Sequence, residues 1–100
     1  MNDLDRLRLL GGLLNEPQFF NAGDLLMLSF QFESLLTSID DVPDVLWRAF
    51  STFWAALEVL GVRHQEVGTA PSSSELSDLR GMAEKFRSEV AAEIGRRAGS

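Results

Sequence analysis

The sequence predicts a small all-α protein, a bundle of about four helices that forms a single domain. Apolar residues recur at steps of three and four positions through most of the chain, which is the period of an amphipathic helix. The chain has 100 residues, 45% of them hydrophobic, so it can bury a core. It contains no cysteine, which excludes disulfides and thiolate metal sites.

The net charge of −6 comes from the first part of the chain. Residues 1–60 hold nine acidic side chains and three arginines, whereas residues 61–100 hold six acids and six bases. An acidic surface repels a phosphate backbone, so we do not expect nucleic acid as a partner. Two roles for the acidity stay open: it keeps a small protein soluble, or it forms a face for a basic partner.

The first helix is predicted over about residues 3–15, where leucines recur on one side. Gly11 and Gly12 weaken this helix, each by roughly 1 kcal/mol relative to alanine. Beyond it, Phe19 and Phe20 lie in a short connection, and we expect them to plug one end of the core.

Two strongly apolar helices are expected next in the chain. The second is predicted over about residues 24–39, with the Asp24 side chain capping its first turn. The third is predicted from about Pro43 to Leu60, because proline suits a first helical turn. Gly61 is expected to end it in the left-handed conformation that commonly closes a helix.

The rest of the chain is predicted to be a loop followed by one long helix. Ser72 and Glu75 have the spacing of a capping box. We therefore divide the single domain into an acidic three-helix core over residues 1–60, a loop or linker over residues 61–74 and an amphipathic helix over residues 75–100. The last helix has a narrow apolar stripe, typical of a coiled coil, so it either packs on the others or is extended or exchanged in a dimer.

No residue pattern supports catalysis, a cofactor or a metal ion. His64 is the only histidine and is interpreted as a solvated loop residue, because the usual zinc sites need more histidine or cysteine ligands. The chain lacks a serine-hydrolase elbow and a phosphate-binding glycine loop. We therefore expect a protein that is not an enzyme.

Two features are candidates for binding a partner. The first is a dense acidic cluster around Pro43, which helix capping also explains. The second is an aromatic ridge on the third helix, which either belongs to the core or also serves an interface. The candidate partner-binding residues are Asp40, Asp41, Asp44, Trp47, Phe50 and Trp54.

These observations favour a small acidic binding protein of the immunity-protein or antitoxin type, which occludes a basic surface of another protein. A homodimeric structural or adaptor protein is the first alternative, and a helical transcriptional regulator is the second. Acids at Asp3 and Asp5 stand where a signal peptide needs bases, and we see no membrane-spanning run, so a cytoplasmic location is expected.

Overall fold

The computed structural model describes residues 2–15 and 25–99 and confirms a small all-α bundle. Helices account for 84% of these residues, and no strand occurs among them. The helices are α1 (Asp3–Leu14), α2 (Leu25–Thr37), α3 (Asp44–Val67) and α4 (Ser73–Ala98).

Each helix of the bundle packs mainly on two neighbours. α1 contacts α2 and α4, and α3 also contacts α2 and α4. The start of α1 and the end of α4 meet, because Arg97 lies 3.7 Å from Asp3. The helices therefore run up and down in turn, in a body measuring 47 × 23 × 22 Å. α4 packs on the other helices of its own chain.

Four buried phenylalanines from α2, α3 and α4 meet at the centre of the core. The ring centroids of Phe32 and Phe53 are 5.6 Å apart, and those of Phe50 and Phe86 are 5.7 Å apart. Phe86 also lies 5.9 Å from Phe53 and 6.5 Å from Phe32. Edge-on and tilted pairs at these distances are favourable beyond the burial of their area. The middle of the predicted aromatic ridge is therefore core.

We expect the core phenylalanines to dominate stability. Phe32→Ala should lower the free energy of unfolding by about 3–5 kcal/mol, because it empties a fully buried site. Phe30→Ala is the matched control on the same helix; its side chain is 64% exposed, so its cost should stay below about 1 kcal/mol. Urea titration followed by circular dichroism measures both, and equal losses would contradict this core.

The predicted end of the third helix is wrong. α3 continues through Gly61 to Val67, and Gly68 closes it with φ 72° and an N–H that donates to the His64 carbonyl. Gly61 is needed inside the helix for a different reason: a Cβ there would lie 2.8 Å from Leu26 Cγ, so the missing side chain lets α2 approach.

The predicted loop over residues 61–74 is correspondingly shorter. Only residues 68–72 separate α3 from α4. His64, interpreted as a loop residue, lies in the last turns of α3 and is half-buried. The reason is that residues 62–67 extend a helix that is already packed on α2 and α4.

Glu75 ties the start of α4 to α3. The predicted capping box is confirmed, because Ser72 Oγ accepts from the Glu75 N–H at 3.1 Å and Glu75 Oε1 accepts from the Ser72 N–H at 3.0 Å. Glu75 also accepts two hydrogen bonds from Arg63, at 2.7 and 2.8 Å. The bonds from Arg63, and then the one from the Ser72 N–H, lower the pKa of Glu75 to about 2.

This lowered pKa predicts an acid-sensitive contribution to stability. The folded pKa of Glu75 is about 2 against an ordinary 4.5, so the stabilisation is complete above about pH 4.5 and is lost as the pH falls towards 2. Glu75→Gln should reduce the free energy of unfolding at pH 7 and flatten its decline below pH 4.5. Glu66→Gln, at an exposed position, is the control; urea titrations from pH 7 to pH 2.5 in which both variants match the wild type would refute the prediction.

Two predictions concern residues that the structure does not describe. The Asp24 cap and the plug formed by Phe19 and Phe20 lie outside the described residues. Within them, α2 begins at Leu25 and ends at Thr37, two residues before the predicted end. Ile39 still belongs to the core although it follows the helix.

α3 is the one described helix that is long and apolar enough, by length and composition, to cross a membrane. The sequence, read as runs of apolar residues, predicts no such helix. The same apolar residues form much of the core, since the helix supplies Leu46, Phe50, Phe53, Leu57 and Leu60 to it. A central helix of a folded bundle meets the same criterion, so this finding is weak evidence for a membrane span.

Candidate functional site

Asp40, Asp41 and Asp44 form an exposed acidic corner between α2 and α3. In the described part of the chain, none of the three carboxylates forms an ion pair. Asp41 has a φ of 58°, a left-handed conformation that aspartate and asparagine tolerate better than most residues. The corner therefore presents three negative charges to solvent.

Arg97, at the end of α4, holds the backbone of the acidic corner. Its guanidinium donates to the Asp40 carbonyl at 2.8 Å and to the Asp41 carbonyl at 3.1 Å. From α1, Asp3 Oδ2 accepts the Asp40 N–H at 3.1 Å. These bonds join three distant segments, so the acidic corner has a defined shape.

Glu93, one turn before Arg97 in α4, holds the Arg97 side chain. Its side chain is 5% exposed, and its Oε2 accepts a hydrogen bond from Arg97 Nε at 2.6 Å. Arg96 also donates to this carboxylate. Burial raises the pKa of Glu93, but the hydrogen bonds from Arg96 and Arg97 outweigh burial and hold the pKa below its ordinary value. Glu93 is thus a charged group inside the bundle, and Arg97 links it to the corner.

Arg97 should therefore contribute more to the free energy of unfolding than Arg96. Arg97→Ala should lower the free energy of unfolding by about 2 kcal/mol, because several charge-assisted hydrogen bonds are lost and Glu93 keeps only one partner. Arg96→Ala is the control; this side chain is 63% exposed, so its loss should cost less than about 1 kcal/mol. Denaturant titration at pH 7 compares them, and an Arg97→Ala variant as stable as Arg96→Ala would disprove the linking role.

The predicted aromatic candidates do not form one surface. Trp47 is half-buried one turn after Asp44, with its ring 5.8 Å from Phe50. Phe50 is 5% exposed and belongs to the core, so it offers no surface to a partner. Trp54 is partly buried further along α3, and its Nε1 is buried with no hydrogen-bond partner in the described residues. Only Trp47 therefore adjoins the acidic corner.

A second surface, absent from the sequence-based candidates, is the outer face of α3, formed by the exposed residues Val45, Arg48, Thr52, Ala55 and Val59. It borders a groove between α3 and α4 that has one section of about 610 Å³ and an adjoining section of about 350 Å³. The sequence signal for this outer face is the spacing of Val45, Thr52 and Val59 by seven residues. It was obscured because the apolar core positions of the same helix stand beside it.

A third surface lies between α1 and α2. A groove of about 540 Å³ is lined there by Leu9, Met27 and Phe30, which are 42%, 57% and 64% exposed. Because each helix packs mainly on two neighbours, this groove lies on the opposite side of the bundle from the α3–α4 groove. The protein therefore exposes apolar side chains on two sides.

Within the described ranges, no three acidic or histidine side chains come together in a way that could hold a metal ion. Comparison with protein-family models, with curated proteins and with solved structures finds no match to this chain. The class that the structure defines is the small all-α bundle.

Proposed function

We propose that this chain is a non-enzymatic, cytoplasmic binding protein of the immunity-protein or antitoxin type, which occludes a basic surface on another protein. The observation that supports this function is the acidic corner. Asp40, Asp41 and Asp44 are exposed and make no ion pair in the described structure. Arg97 holds the backbone carbonyls of Asp40 and Asp41.

A fixed group of like charges suits the recognition of a basic partner. Exposed carboxylates attract such a partner at long range and accept charge-assisted hydrogen bonds from its arginines and lysines. Because hydrogen bonds to Asp3 and Arg97 already order the corner, binding costs little conformational entropy there. Trp47, half-buried beside Asp44, supplies an aromatic anchor of the kind enriched in interfaces.

The alternative of a transcriptional regulator receives less support. Three arginines of α4 are engaged with acidic side chains of the same chain. Arg87 pairs with Glu84, and Arg96 and Arg97 both pair with Glu93. These bases are therefore largely neutralised locally and are poorly suited to a phosphate backbone.

A homodimeric adaptor is the second candidate, and it rests on a different observation. Val45 and Val59 on the outer face of α3 are 47% and 66% exposed. They lie about 21 Å apart along the helix, at 1.5 Å per residue, with the exposed Ala55 between them. A contact on this face would border the acidic corner, because Asp44 directly precedes Val45.

The experiment that tests the proposed function compares partners captured by the immobilised wild type and by a variant with Asp40→Asn, Asp41→Asn and Asp44→Asn. Asparagine removes the charge and tolerates the left-handed backbone at position 41. A stoichiometric partner from a lysate of the source organism should fall about tenfold in recovery with the variant, by quantitative mass spectrometry. Its recovery by the wild type should also fall as salt is raised.

A matched control removes the same number of charges elsewhere, through Asp5→Asn, Glu33→Gln and Glu66→Gln. The partner should be recovered with this control as with the wild type. Circular dichroism should show that both variants are folded. Equal recovery of every stoichiometric partner by the wild type and the acidic-corner variant would remove the acidic corner from the interface and refute the proposed function.

A further inference from the structure

The acidic corner is too small to be the whole of a specific protein interface. Stable interfaces bury about 800 Å² on each partner and have an apolar centre inside a polar rim. Asp40, Asp41 and Asp44 are three exposed residues that supply charges alone. If the corner binds a basic partner, the contact therefore continues onto adjoining surface that contains apolar side chains.

Exposed apolar surface adjoins the corner at Val45. This residue directly follows Asp44, and its side chain is 47% exposed. The other large apolar side chains that are exposed in the described structure lie elsewhere. Three line the groove between α1 and α2: Leu9, Met27 and Phe30. Three lie about 22 Å or more from Asp44 along α3, at 1.5 Å per residue: Val59, Val62 and Val67.

Val45 belongs to the wall of a groove section that has room for a partner's side chain. Ala49 and Met82 line the same section, which has a volume of about 610 Å³. Side chains that fill pockets of this kind contribute much of the binding energy of protein interfaces. The corner thus has a site for an apolar anchor directly beside it.

Two cations line this groove section. Neither Arg48 nor Lys85 forms an ion pair in the described structure. Lys85 precedes Phe86, whose ring lies 5.7 Å from that of Phe50, so Lys85 is level with the second turn of α3. Asp78 also lines the section, about 10.5 Å before Lys85 along α4 and therefore further from the corner. Along the groove, the acidic corner is thus followed first by two positive charges and then by Asp78.

We propose that the partner of the acidic corner also docks on this groove section, with three kinds of group in order along its contact surface. Basic side chains lie over the corner, an apolar side chain lies against Val45, and an acidic side chain lies at Arg48 and Lys85. Asp44 and Arg48 are about 6 Å apart along α3, so one segment of the partner reaches both. This proposal rests on the proposed function, because the corner orients the partner.

In this arrangement Arg48 and Lys85 determine which basic proteins bind. A uniformly basic surface is attracted by the corner but repelled by these two cations. A surface with an acidic group at that place is attracted by the corner and by the cations. Repulsion of wrong partners is a common source of specificity. Recognition by negative charge alone would instead improve when the charge of Arg48 is reversed.

The variant Arg48→Glu therefore distinguishes the two kinds of recognition. The readout is the recovery, from a lysate of the source organism, of the stoichiometric partner that is lost with the acidic-corner variant. Recovery of this partner should fall at least about fivefold with Arg48→Glu, by quantitative mass spectrometry. Binding of labelled poly-L-lysine, a uniformly basic probe, should rise at least about twofold in the same variant, by fluorescence anisotropy at low salt.

The variant Val45→Asn tests the apolar anchor in the same assay. Recovery of the partner should fall about tenfold, because a polar group replaces apolar surface at the centre of the contact. Val59→Asn is the matched control on the same helix; its side chain is 66% exposed, and recovery should stay within about twofold of the wild type. Arg8→Glu, the same charge reversal on α1, should not lower recovery, and circular dichroism should show every variant folded.

Three results would overturn the proposal and leave the proposed function in place. One is a recovery that rises or stays constant with Arg48→Glu, which shows recognition by charge alone. Another is equal recovery with Val45→Asn and with the wild type, which removes the groove from the contact. The third is a wild-type dimer in sedimentation equilibrium that Val45→Asn disperses, because a second copy then covers the groove. The absence of any partner that depends on the acidic corner would refute the proposed function and this proposal together.

Discussion

One side chain, Arg97, connects the parts of this bundle that the acidic corner depends on. It joins the end of α4 to Glu93 within its own helix, to Asp3 at the start of α1, and to the carbonyls of Asp40 and Asp41 between α2 and α3. A buried carboxylate without a partner would be costly, so Glu93 requires a cation, and the cation also holds the corner. The exposed charges of the corner are thus ordered by a charge inside the bundle.

Local signals in the sequence were sufficient to predict the four helices and the capped start of α4. Periodic leucines and phenylalanines predicted four helices, and Ser72 with Glu75 predicted the capping box that begins α4. The end of α3 was mispredicted because Gly61 resembles a helix terminator, whereas its role depends on Leu26 in another helix. Propensity describes the isolated segment, and a close approach between two helices belongs to the tertiary structure.

The candidate site was predictable only in part, for the same reason. The exposed acids at positions 40, 41 and 44 were visible as a cluster, but the bond from Arg97 to Asp40 spans 57 residues and has no local signature. Phe50 was grouped with Trp47 because they share a helix, yet Phe50 packs against Phe86 in the core. The outer face of α3 was missed because a long helix can carry a core face and an exposed seam together.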